Sequence, residues 1–256
     1  MPDLFKLTAE DYLEMIGDWV DPNPDPIVED HMGFLVVRDD VLGGGSKIRF
    51  ADYLIQSQPQ IKEWVYGSSP ATGYAQISLA HLCTKYNKKA VVFMADRAVE
   101  KRHSYQLRAI EEGATMHWVP NGMLSVTEKR ARDYVADDPK TRRLLPIGFD
   151  DDSVLSSIIR VSRNLSVVPT EVWTVGSSGT LTRGLQLAWP RASFHCVCVG
   201  HSGEYGEATL YKSKYAFNKP TKVLPPFPSA PTYDAKAWEF MLDHASPGAL
   251  FWNVGS

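Results

Sequence analysis

Short apolar runs alternate with amphipathic stretches along most of this chain, and their periods predict the elements. Phe34-Leu35-Val36-Val37 predicts a strand, followed by a glycine-rich turn and a helix over Ile48 to Gln56. The apolar Trp64-Val65-Tyr66 precedes a turn of small residues and an amphipathic stretch from Tyr74 to Tyr86. Strands are predicted over Ala90 to Ala95, Thr115 to Val119, Leu144 to Ile147, Glu171 to Val175, Ser193 to Val199 and Ala249 to Asn253. Helices are predicted over Val99 to Glu112, Leu124 to Ala136, Asp152 to Asn164, Ala235 to His244, and directly after Gly179. Strands that alternate with helices imply parallel sheet covered on both faces, hence an α/β fold.

Two segments depart from this rhythm. Asp21-Pro22-Asn23-Pro24-Asp25-Pro26 reads as a stiff, extended lead-in. Gly203 to Pro231 carries Lys212, Lys214, Lys219 and Lys222 with Tyr211, Tyr215 and Phe217 between them, and reads as an irregular lobe over one end of a sheet. No apolar run reaches the roughly 18 residues that span a bilayer, so no membrane partner is expected. The opening residues lack the basic and apolar regions of a signal peptide, and only three cysteines occur, which points to reduced thiols and a cytoplasmic location. A net charge of −3 offers no overall argument for nucleic acid.

Three small-residue loops are the candidates for chemistry. Val175-Gly176-Ser177-Ser178-Gly179-Thr180-Leu181 runs from a strand into a helix, so backbone N–H groups, the helix dipole and three hydroxyls converge where a phosphate would sit. It is neither a P-loop nor a dinucleotide fingerprint, and the plainer reading is a strand-to-helix turn. Bulk at Gly176 or Gly179 is expected to obstruct those N–H groups. Gly43-Gly44-Gly45-Ser46-Lys47 lets the backbone approach a flat ligand, and burial would depress the Lys47 pKa as a Schiff-base amine requires. A flexible loop ending in a solvated lysine is the alternative. Gly67-Ser68-Ser69-Pro70-Ala71-Thr72-Gly73 offers N–H groups for a carboxylate.

Taken in order and spacing, these loops resemble the pyridoxal-phosphate (PLP) enzymes of the tryptophan-synthase β-subunit fold, fold type II. The tail Tyr233-Asp234-Ala235-Lys236-Ala237-Trp238 and Leu250-Phe251-Trp252-Asn253-Val254-Gly255-Ser256 is most similar to the aminocyclopropane-carboxylate deaminase and D-cysteine desulfhydrase branch. The resemblance covers roughly residues 34 to 256. It implies two α/β lobes with parallel-rich sheets and PLP in the cleft between them. The larger lobe would be residues 1–66 with 149–256, and the smaller 67–148. Lys47 would form the Schiff base with PLP and move protons at the substrate Cα. Gly176, Ser177, Ser178, Gly179 and Thr180 would hold the phosphate. Tyr233 would lie near the ring or substrate, Asp234 would face the pyridine nitrogen, and Ser68, Ser69 and Thr72 would bind the substrate. The plainer reading of Asp234 is an N-cap for the following helix.

Four positions depart from the family pattern: Ser46 replaces an Asn, Ala71 an Asn, Pro70 a Ser and Val254 a Thr. Fold and cofactor survive these changes, whereas transfer of the deaminase reaction does not. The function implied is PLP chemistry on the amino group of an amino acid, through an external aldimine and a Cα carbanion, ending in elimination, replacement, deamination or decarboxylation. The chain also resembles compact PLP proteins of tailed bacteriophages. On that reading the amino acid is attached to a thymidine base of DNA in the host cytoplasm, and the Tyr205–Lys222 region contacts the DNA. A non-catalytic PLP-binding protein is the third reading, and a phosphosugar-binding protein a weaker fourth. A second copy of the chain is admitted as a partner in a homodimer. Cys196-Val197-Cys198 with His195 and His201 is read as a buried apolar strand with no metal, because alternate residues face opposite sides. The basic run Lys129 to Arg143 is read as a solvated helix face, since acids intersperse it.

Overall fold

The computed structural model describes residues 7–120, 122–200 and 203–256; His201 therefore lies outside the described residues. In chain order, α1 (Ala9–Met15) starts from a Thr8–Asp11 capping box, and β1 (Val28–His31) and β2 (Phe34–Arg38) follow. Then come α2 (Ser46–Phe50), α3 (Asp52–Gln56), β3 (Glu63–Tyr66), α4 (Ala75–Lys85) and β4 (Lys89–Ala95). After α5 (Ser104–Glu111), β5 (Thr115–Val119), α6 (Leu124–Ala136) and β6 (Arg142–Leu145), the chain forms α7 (Asp152–Arg163), capped by the Asp151 side chain. It ends with β7 (Glu171–Gly176), α8 (Thr180–Ala188), β8 (Ser193–Cys198), β9 (Thr209–Lys212), α9 (Lys236–His244) and β10 (Leu250–Asn253).

Two compact units result, each with its own sheet. The larger runs through Phe50 and resumes at Asp151; the smaller is Ala51–Asp150. In the larger unit six strands lie in the order β1-β2-β10-β7-β8-β9, parallel throughout except for the antiparallel β1–β2 edge. Its central strands β7 and β10 are buried at every position, which explains their continuous apolar runs. Phe34, Trp173, Val197, Trp238, Met241 and Phe251 form the core on one face. The smaller unit has four parallel strands in the order β5-β4-β3-β6. Val65, Val91, Phe93 and Val119 form its core together with Ala131 of α6.

The boundary between the units differs from the sequence reading, which placed it at residue 67. β3 pairs with β4 on one side and β6 on the other, so it belongs to the smaller sheet together with α3 before it. The expected helix over Ile48 to Gln56 is broken at Ala51, whose backbone leaves helical geometry at φ −95°, ψ 1°. The expected Val99 to Glu112 helix is interrupted: Val99–Lys101 forms a single 3-10 turn and the α-helix begins at Ser104. Arg102 and His103 are extended, and the His103 ring caps α5 by accepting from the Tyr105 N–H. Within Gly203 to Pro231, β9 extends the larger sheet by one exposed edge strand.

Candidate active site

α2 carries Lys47 away from a turn that only glycine enters comfortably, with Gly45 at φ +67°. The Ser46 N–H donates to the Val254 carbonyl at 2.9 Å, which ties the start of α2 to the end of β10. Behind the lysine lies a fully buried polar cluster. The Trp252 indole N–H is shared between Asp39 Oδ2 at 2.9 Å and the Ser46 hydroxyl at 3.1 Å. Arg49 holds Asp39 at 3.1 Å, pairs with Asp21, and donates to the Pro24 carbonyl at 2.9 Å. Burial pushes the Asp39 carboxyl up, and Arg49 opposes that shift. This cluster makes the five-residue α2 a rigid base for Lys47, so the flexible-loop reading of the Gly-Gly-Gly run does not hold. Lys47 itself is half-buried; desolvation of its ammonium lowers its pKa, and the charge of Asp234 works the other way.

Asp234 is buried, and one carboxylate oxygen, Oδ2, accepts from the Gly255 N–H at 3.2 Å. The other, Oδ1, is sealed from solvent without a hydrogen-bond donor among the described residues. Burial pushes this carboxyl up to about 8, and Lys47 holds it from rising further. The N-cap reading is overturned. α9 starts at Lys236, its cap is Ala235 with no side-chain bond, and Asp234 faces the Val254–Gly255 backbone instead. Beside it the half-buried Tyr233 has its phenol pushed up by burial and by Asp234, a shift that the nearby Ser177 side chain opposes.

Ser177 belongs to the loop between β7 and α8. Ser178 and Thr180 hydroxyls lie 3.0 Å apart at the first turn of α8, whose N-cap Gly179 adopts φ +83°. A second segment clamps the loop from outside. The Tyr205 phenol donates toward the Gly176 and Ser177 carbonyls, both at 3.2 Å, and the Glu204 N–H donates to the Ser178 carbonyl at 3.1 Å. A Cβ at Gly179 would lie 1.8 Å from the Glu204 carbonyl oxygen, and one at Gly176 would lie 2.8 Å from the Tyr205 ring. These glycines are thus required by the clamp, a different reason from the obstruction of N–H groups expected from sequence. Tyr205 was missed as a site residue because nothing local marks it; its partners are 28 and 29 residues away.

Lys47, Asp234, Tyr233 and the Gly176–Thr180 loop are therefore brought together in the larger unit. Ser68, Ser69 and Thr72 belong to the smaller one, in the turn that leads from β3 into α4. There Ser68 donates to Glu128 at 2.6 Å, Ser69 pairs with Gln76, and the Gln76 amide nitrogen is buried with no acceptor among the described residues. Cys196 and Cys198 share one face of β8, while His195 stacks on Trp173 from the other, with centroids 4.5 Å apart. Among the described residues no group of three His, Cys, Asp or Glu side chains is placed to hold a metal. In the Tyr205–Lys222 region the aromatic rings turn inward: Tyr211 packs on Trp173, Phe240 and His244, and Phe217 on Tyr233. Lys214 is paired with Glu239, which leaves Lys212, Lys219 and Lys222 exposed.

No protein-family model and no curated protein sequence matches the chain. Solved structures do. A structure described as an ACC deaminase homologue superposes with a TM-score of 0.82 over 100% of this chain and 95% of its own, at 14% identity. A threonine deaminase from T.th. gives 0.71 over 96% and 97%, at 16% identity. Diaminopropionate ammonia lyase of Escherichia coli gives 0.67 over 100% and 89%, at 10% identity. The fold of this chain is that of the fold type II PLP enzymes. No helix among the described residues is long and apolar enough to cross a membrane.

Proposed function

We propose that the chain is a PLP-dependent, lyase-type enzyme that breaks a bond at the Cα of an amino-acid substrate. The observation that carries this reading is Asp234 Oδ1: a carboxylate oxygen, fully buried and without a donor among the described residues, on a side chain that faces the strand end anchoring Lys47. Burying an acceptor unpaired costs about 1–3 kcal/mol, so a site that keeps one is built to receive a donor. The pyridine nitrogen of PLP is such a donor. When bound, PLP supplies an electron sink for negative charge at the substrate Cα.

The chain's own residues then divide the work. Asp234 keeps a proton on the ring nitrogen. Lys47, its pKa lowered by burial, binds the cofactor and moves a proton at Cα. The N-terminus of α8 with Ser178 and Thr180 holds the phosphate dianion, which favours the positive end of a helix. The Tyr233 phenol stays protonated across the working pH range and orients the groups beside it. Ser68, Ser69 and Thr72 receive the substrate carboxylate. The structural neighbours named as deaminase and ammonia lyase favour loss of an amino or β-substituent over loss of the carboxylate. The test is a PLP titration followed by visible absorbance, then a panel of free amino acids assayed for ammonia and carbon dioxide. Ammonia release that is lost in Lys47→Ala supports the reading; no visible band at saturating PLP refutes it.

A second reading, in which the amino acid is attached to a DNA base, is favoured by Lys212, Lys219 and Lys222, exposed and without ion pairs among the described residues of the segment from β9 onward. Turnover of aminoacylated duplex DNA, absent with free amino acids, would select it.

A further inference from the structure

The smaller unit carries a cationic and aromatic cluster made of none of the residues assigned to cofactor or substrate. It lies where β3, β4 and β5 end and α4 and α5 begin, the edge at which open parallel sheets receive ligands. The Arg102 guanidinium lies over the Trp118 ring, 4.0 Å from its centroid, and its buried Nε has no acceptor among the described residues. Next along the chain, the His103 ring packs edge-on against Tyr105 at 4.8 Å, and Tyr105 against Tyr74 at 5.1 Å. Arg108 donates to the Tyr74 hydroxyl at 3.0 Å. Arg97 and Lys101 are exposed on the same segment, and Trp118 is half-buried on the edge strand β5.

Elsewhere in this unit Lys85 is paired with Asp52, Lys89 and Arg142 with Glu63, and Lys129 with Asp133, while Lys62, Arg130, Arg132 and Lys140 have no ion pair among the described residues. Among the described residues Arg97, Lys101 and Arg102 have no ion pair, although Asp96 and Glu100 lie on their own segment. The sequence of the smaller unit also holds more Lys and Arg than Asp and Glu, and that of the larger the reverse. A guanidinium stacked on an indole with its Nε unpaired, and two exposed cations on the same segment, match a ligand with both a flat ring and an anionic group.

We infer that Arg97, Lys101, Arg102 and Trp118 form a nucleotide-binding surface, which takes a nucleobase against the Arg102–Trp118 stack and its phosphate on Arg97 and Lys101. The proposal uses none of the cofactor residues and stands apart from the PLP reading. Free nucleotides and single-stranded nucleic acid present the same chemistry, so the experiment separates them.

Binding of a fluorescein-labelled oligothymidylate to the full chain is followed by anisotropy across a salt series, with thymidine monophosphate and inorganic phosphate as competitors. Wild type should bind with a salt dependence. The Arg97→Gln/Lys101→Gln variant should weaken binding about tenfold or more and flatten the salt slope by about 0.7 per charge removed. Trp118→Leu should weaken binding with the slope kept. Arg97 and Lys101 are exposed, so that variant stays interpretable even where Trp118→Leu fails to fold. Strong competition by thymidine monophosphate assigns the surface to free nucleotides, and weak competition to the strand; either supports the inference. Three outcomes overturn it: no binding by wild type, strong competition by inorganic phosphate that matches that by the nucleotide, or a slope unchanged in Arg97→Gln/Lys101→Gln, whether or not Lys212→Ala/Lys219→Ala/Lys222→Ala flattens it.

Discussion

Replacing Asp234 by Asn should make the cofactor-free protein more stable at neutral pH while it weakens PLP binding. Burial raises this carboxyl to about 8 from an ordinary value of 3.8. Between those values the folded state holds a proton that the unfolded state has lost. Stability therefore falls as pH rises from about 4 to about 8. Each pH unit in that window is worth about 1.4 kcal/mol, so by pH 7 the accumulated penalty is about 4 kcal/mol. The substituted amide stays buried and brings donors of its own without acceptors, which returns about 1–3 kcal/mol. The net expectation is a gain of about 1–3 kcal/mol at pH 7. Lys47 titrates with the opposite sign: its folded pKa is lowered, so its contribution grows with pH. The informative quantity is thus the difference between wild type and variant, measured by urea unfolding of the cofactor-free proteins from about pH 5 to about pH 8. That difference should grow in the variant's favour as pH rises. A variant less stable than wild type at pH 7, with the same pH dependence, would refute the reasoning. It would mean that Asp234 is a satisfied structural acid and not one kept for a ligand.

Three further outcomes follow from the geometry. Thr180→Val should raise the PLP dissociation constant about tenfold or more with unfolding unchanged within about 1 kcal/mol, because it removes a hydroxyl and little volume; equal PLP affinity would place the phosphate elsewhere. Gly179→Val should instead lower the unfolding midpoint even without PLP, since its Cβ meets the Glu204 carbonyl and its φ is left-handed. Trp252→Phe should destabilise the protein by about 1–3 kcal/mol by leaving Asp39 Oδ2 and the Ser46 hydroxyl without their shared donor; a neutral result in urea unfolding would show that water or Arg49 takes over.

The parts of the fold that could be read from sequence are those in which burial is complete. β4, β7 and β10 are apolar runs because both faces are covered, and α6 and α7 show clear helical periods with polar or capped ends. The edge strands β1 and β9 were not predicted because partial cover leaves them no apolar run: Val28-Glu29-Asp30-His31 has no strand pattern, and Thr209-Leu210-Tyr211-Lys212 falls in the segment read as an irregular lobe. The unit boundary was misplaced for a related reason: only pairing partners tell which sheet β3 joins. At the site, glycines and small residues announced Lys47 and the loop before α8, since backbone approach has a local signature. The supporting contacts have none. Trp252 reaches back 213 residues to Asp39 and 206 to Ser46, and Tyr205 braces a loop it follows by 28. Asp234 was legible as a carboxylate next to a helix, but its orphaned oxygen and its partners across β10 needed the fold.

The most direct test of the central claim is the location of the cofactor on the chain. The protein is saturated with PLP, reduced with borohydride, digested, and its peptides are analysed by mass spectrometry. A visible band before reduction and a single pyridoxyl adduct on Lys47 are expected, the adduct absent in Lys47→Ala and reduced in Asp234→Ala. An adduct on Lys236, Lys85 or any other lysine, with Lys47 unmodified, would contradict that claim.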